Sequence, residues 1–122
     1  MKEFSFEKLT VWQEARQLLL SIYKQTEAFP KSEMYGMTSQ LRRASLSVCS
    51  NLAEGSSRVS PKDQARFYTI AYSSLIEALN QLIICADLNY IQNEYYETSR
   101  KNISDIAMKI GALKNKTLNH QP

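Results

Sequence analysis

The residues of this chain best suited to chemistry are Gln40, Arg43, Ser47, Asn51, Glu54 and Arg58, which recur three or four apart. On a helix that spacing sets them in one line of amide, guanidinium, hydroxyl and carboxylate groups. An apolar line runs beside it: Leu41, Ala44, Val48, Leu52 and Gly55. Such a polar row can fix the register of a neighbouring helix, a seam that is costly if half satisfied. It can also hold a ligand or partner with the same groups. The facing helix is the one that contains Ser74 and Glu77. For an antiparallel hairpin that turns at Arg58, equal rise per residue makes facing positions total about 117. Arg43 then lies level with Ser74 and within a turn of Glu77, Gln40 with Glu77, and Glu54 with Asp63, near Lys62 and Arg66. Arg43 and Glu77 are expected to form a partly buried pair, with Ser47, Asn51 and Ser74 bridging groups nearby.

Other reactive constellations do not assemble. A di-iron bundle needs inward carboxylates with Glu-x-x-His pairs, and the one histidine, His120, sits in the terminal tail. The same shortage denies zinc its ligands and denies Cys49, Cys85 or any helical serine a histidine base. Both cysteines lie in apolar helical stretches and read as buried free thiols of a reducing compartment. No glycine-rich phosphate loop is present. The chain therefore reads as non-enzymatic, without metal or cofactor.

The 122 residues suit one domain, 1–122, with 43% hydrophobic and 22% charged residues, the balance of a globular protein able to bury a core. Only 3 Gly and 3 Pro argue against a turn-rich β fold. No apolar run approaches the roughly 20 residues of a membrane span, and MKEFSFEKL lacks the apolar region of a secretory signal. The expectation is a cytoplasmic protein with no membrane partner. The net charge of +3 is mild, and its excess sits on two segments, 31–58 and 93–116. It permits a nucleic-acid partner without requiring one.

Four helices must position these groups, at about 9–28, 32–55, 61–88 and 93–116. In the first, Leu9, Trp12, Ala15, Leu19, Ile22, Thr26 and Phe29 form a seam of alternating threes and fours, with Thr10 as cap and Pro30 as stop. The second has Ser32 as cap, Gly36 as a kink or late start, and Gly55 in a left-handed terminal position. Ser60, Pro61 and Asp63 open the third. That helix is apolar nearly all round, so Tyr72, Ile76, Ile83 and Ile84 are expected to meet another subunit. Asn93 caps the fourth, Gly111 weakens its end, and Leu118–Pro122 reads as a mobile tail. Tyr90, Tyr95 and Tyr96, at the third turn, close the bundle end or stack on bases. Four amphipathic helices on short connections give an all-α, antiparallel up-down-up-down four-helix bundle.

FEKLTVWQEA, FPKSEMYGMTSQLRRASLSVCSNLAEGSSR and FYTIAYSSLIEALNQL are similar to the bacterial four-helix-bundle proteins encoded in intervening sequences of 23S ribosomal RNA genes. The resemblance spans roughly Phe6–Tyr90, and Cys49 stands where many relatives carry proline. It implies an antiparallel bundle assembled as a homopentameric ring, and a role with RNA, since a related branch serves diversity-generating retroelements. The leading reading is an oligomeric bundle that binds RNA or a ribonucleoprotein by neutralising phosphate. Its candidates are Arg42, Arg58, Lys62 and Arg66 near the second turn, and Lys109, Lys114 and Lys116 at the end of helix four. The alternatives are a protein-interaction scaffold without nucleic acid, and a small ligand in the polar seam.

Overall fold

The computed structural model describes residues 1–119 and is helical almost throughout: α1 (Thr10–Thr26), α2 (Ser39–Ser57), α3 (Pro61–Asp87) and α4 (Asn93–Asn119). His120 and the last two residues of the expected tail lie outside the described residues, and helix continues through Leu118 to Asn119. Successive helices pack as neighbours, and α4 closes back on α1, so the α1–α2 face and the α3–α4 face lie on opposite sides of a four-helix bundle. One core runs through all four helices, centred on Ile22, Leu41, Leu52, Leu75, Leu82, Ile103, Ile106 and Ile110. Each of these buries its whole side chain, worth about 1.5–3 kcal/mol of transfer free energy.

The entry to α3 follows from its sequence. Ser60 accepts the Asp63 N–H at 3.0 Å, and Pro61 takes the first turn, where no amide donor is needed. Its exit is a Schellman motif with Asn89 in the left-handed position at φ 60°. The Tyr90 N–H reaches the Cys85 carbonyl at 2.9 Å and the Asn89 N–H that of Ala86 at 3.1 Å. Asparagine tolerates this conformation and alanine does not. Asn89→Ala is therefore expected to lower stability by about 1 kcal/mol, and Asn89→Gly to hold or raise it, as read by urea denaturation. Although its sequence has no unbroken apolar run of that length, α3 is long and apolar enough by composition to cross a membrane. Ten of its residues are nonetheless buried in the bundle.

The other ends depart from expectation. A 3-10 turn, Ser5–Lys8, precedes α1, and Leu9 rather than Thr10 is the capping residue, with no side-chain cap. Leu18, not Leu19, is the fully buried leucine of α1, and Trp12 is half-buried under Phe6, in edge contact at 4.9 Å. Before α2 the chain makes a 3-10 turn at Lys31–Glu33 and a π turn at Met34–Thr38, broken at Gly36 (φ −112°, ψ −112°). The cap there is Glu33, whose carboxylate accepts the Met37 N–H at 3.1 Å, and not Ser32. Met34 is exposed. Gly55 lies inside α2 with ordinary helical backbone. A Cβ there would stand 2.7 Å from Tyr68 Cε1 and 3.0 Å from Phe67 Cβ, so glycine serves the close approach of α2 and α3 rather than a turn. Asn93 is already helical, and its side chain donates to Glu97 at 3.3 Å instead of capping.

Candidate functional site

The polar row of α2 does face α3, about one helical turn out of the expected register. Ser47 and Ser74 share a hydrogen bond at 2.8 Å, and Arg43 pairs with Glu77. Their numbers total 121 and 120 rather than 117. Asn51 donates to the Ser47 carbonyl at 2.8 Å and to its hydroxyl at 3.0 Å. Gln40 accepts two bonds from Arg43, at 2.9 and 3.1 Å. The Arg43–Glu77 pair is not partly buried: its side chains are 54% and 37% exposed, so solvent screens it and it contributes little to stability. Gln81, one turn on, is buried with its Oε1 unpartnered. Glu54 stays exposed and forms no ion pair among the described residues.

Asp63 is the acidic centre of the second turn. It accepts Arg66 Nη2 at 3.0 Å and lies 3.8 Å from Arg58 Nε. Both guanidiniums also rest over the Phe67 ring, 4.6 and 4.5 Å from its centroid. One carboxylate and one aromatic face thus hold two half-exposed arginines in place. Lys62, exposed beside them, has no carboxylate partner among the described residues, and neither has Lys114 or Lys116. Lys109 is committed to Glu14 of α1. Arg42 differs from the rest. Its Nε donates to Thr26 Oγ1 at 2.8 Å, its Nη2 to the Tyr23 carbonyl at 3.3 Å, and it covers the Tyr23 ring at 4.5 Å. It ties α2 to the end of α1, remote from the α2–α3 turn with which its neighbours in sequence grouped it.

The antiparallel topology brings two separate basic segments to one end. Pro61 and Gln64 of α3 line a cleft together with Leu113, Lys116 and Thr117 of α4. That end, residues 1–9, 54–66 and 109–119, carries eight Lys and Arg against four acids. The opposite end, residues 24–38 and 84–97, carries two against five. At the acidic end, Tyr90 donates to Glu33 at 2.8 Å and packs on Phe29 at 5.3 Å. The Tyr90 bond holds the Glu33 carboxyl below its usual range. Tyr95 shares a bond with Ser21 at 2.9 Å, and the Tyr96 hydroxyl accepts from Arg100 at 2.7 Å. All three hydroxyls are therefore engaged within the protein.

Tyr72 and Ile76 are exposed on the α3–α4 flank, with Met108 exposed on α4. Ile83, seven residues from Ile76, shares that line but is half-buried. Ile84, also exposed, sits about 100° further round, toward the α2 side, so the four expected interface residues do not form one patch. A second apolar strip, which the sequence pattern did not single out, lies on the α1–α2 face. There Leu20 and Leu46 are exposed above a cleft lined also by Trp12, Leu19 and Ala53. Burial pushes both thiols, Cys49 and Cys85, up to about 11, which leaves neither a thiolate nucleophile at neutral pH. No three His, Cys, Asp or Glu side chains among the described residues converge to hold a metal.

The family model for the 23S rRNA-intervening sequence protein matches residues 7–112. No curated protein sequence matches. Among solved structures, a protein of unknown function from the S23 ribosomal protein family of Bacteroides thetaiotaomicron superposes with a TM-score of 0.78 at 19% identity, covering 86% of this chain and 95% of that one. That likeness concerns the fold, and neither similarity indicates an enzymatic family. The match over nearly the whole bundle shows that the chain belongs to the 23S rRNA-intervening sequence protein family.

Proposed function

We propose that this protein is a non-enzymatic, self-assembling bundle that contacts RNA, or a ribonucleoprotein, through its basic end. The observation that carries the reading is the convergence of the α2–α3 turn and the end of α4 on one pole of the bundle, while the other pole is acidic. A polyanion is drawn to the first pole and repelled by the second. Lys62, Lys114 and Lys116, without a carboxylate partner among the described residues, supply positive charge there, and Arg58 and Arg66 add two guanidiniums held by Asp63. Lys109, paired with Glu14, is a secondary contributor, and Arg42 serves α1–α2 packing instead.

Self-assembly finds support in the two apolar strips on opposite faces. Unlike patches on opposite sides favour a heterologous contact, which builds a ring when the rotation between copies closes and a filament when it does not; the resemblance implies a closed ring of five copies. In a ring whose axis runs along the bundles, every basic pole lies on the same rim. Weak phosphate contacts then multiply.

The test is a salt titration of single-stranded RNA binding by fluorescence anisotropy. Affinity is expected to fall steeply with salt, and the double variant Lys62→Gln/Lys116→Gln to flatten the log–log slope by about 1.4 per protomer engaged. Absence of measurable binding at low salt would favour the second reading, a protein-interaction scaffold that uses the exposed strips.

A further inference from the structure

The cleft at the basic pole has features that phosphate contact alone leaves unused. It encloses about 330 Å³, at the small end of the range of ligand pockets. Leu9, Pro61 and Leu113 line it with hydrocarbon, and Gln64 and Lys116 bring polar groups to its wall. Tyr68 also lines it. That side chain is 2% exposed, and its hydroxyl, which has no protein partner among the described residues, is not a buried orphan but faces the open cleft. A hydroxyl so placed can donate to, or accept from, a group that enters the cleft. Its ring is fixed from behind, because it lies against the bare backbone of Gly55. The hydroxyl is therefore held in place at the cleft.

We propose that this cleft receives one unstacked nucleobase of the bound RNA, an inference that rests on the reading of the basic pole as the RNA contact. A base has two apolar faces and a polar edge, and it arrives tethered to phosphate. The hydrocarbon walls accept its faces. The Tyr68 hydroxyl and the Gln64 amide, which offers both donor and acceptor, meet its edge. Lys116 on the rim takes the adjoining phosphate. An anion alone would leave the apolar walls bare.

The experiment compares two probes of about 10 nucleotides, within a usual single-strand footprint: oligouridine, and a fully abasic oligomer with the same phosphates. Each is titrated by anisotropy at low salt against the full chain, Tyr68→Phe and Gln64→Ala. Tyr68→Phe keeps the ring and its packing, so the fold is retained, and Gln64→Ala changes a helix-surface position. Each variant is expected to weaken oligouridine binding about fivefold, the loss of one neutral hydrogen bond, and to leave the abasic probe unchanged. If both probes bind alike, with a steep salt dependence, and neither variant matters, the base site is overturned and the charged pole stands. If neither probe binds, both fall together.

Discussion

Ile76→Glu is expected to reduce the assembly to single chains, and so is Leu46→Glu. The two residues lie on opposite faces of the bundle, 42% and 47% exposed. A buried glutamate without a partner costs several kcal/mol, more than an apolar contact of this kind returns, while in the lone chain both positions face water. Light scattering of the unaltered protein at micromolar concentration is expected to give a multiple of the chain mass, five in the ring that the resemblance implies. The diagnostic step is to mix the variants. In a heterologous contact the intact α3–α4 face of Leu46→Glu meets the intact α1–α2 face of Ile76→Glu, and dimers form. An isologous contact through either face would instead leave the variant that keeps that face intact associated on its own, before any mixing. A wild-type chain that scatters as a monomer would remove assembly from the account.

Gly55→Ala and Gly111→Ala are expected to move stability in opposite directions. Both glycines lie inside helices, where alanine is favoured by about 1 kcal/mol. A methyl group at Gly111 meets nothing within 4 Å, so the propensity gain is realised. At Gly55 it enters the Tyr68 ring and the base of Phe67. Neither can yield freely, since Tyr68 is almost wholly buried and Phe67 carries Arg58 and Arg66. Overpacking of this kind costs about 1–3 kcal/mol and outweighs the helix preference. Paired urea titrations measure both changes. Equal gains in the two variants would mean that α2 and α3 do not approach as closely at this point as described.

Much of the architecture was legible because it rests on local signals. The cap of α3 needs only Ser60, Pro61 and Asp63, and the polar row of α2 needs only its spacing. What escaped depended on distant partners. Glu33 starts the turn before α2 because it also holds Tyr90, 57 residues away, and no local pattern encodes that contact. Gly55 reads as a helix end by type, and only the ring of Tyr68 explains it. The register differs by about a turn because the offset between the helices is set by side-chain contacts such as Ser47–Ser74 and Arg43–Glu77, which the centre of a hairpin does not encode. Asp63, Arg66 and Phe67 did carry a readable signal, three- and four-residue spacing in the first turns of α3, whereas Arg58, on the connection, did not. The convergence of both basic segments on one pole follows from antiparallel topology, which composition cannot express. Arg42 looked like its basic neighbours in sequence and was separated from them only by its bonds to Thr26 and Tyr23.

The most direct test of the basic pole is a map of ultraviolet cross-links between the assembled protein and single-stranded RNA, read by mass spectrometry. Cross-linked peptides are expected from residues 56–68 and 109–117, with few from the α3–α4 turn or the Phe29–Glu33 segment. Cross-links concentrated at the acidic pole, or spread evenly over the bundle, would contradict the account.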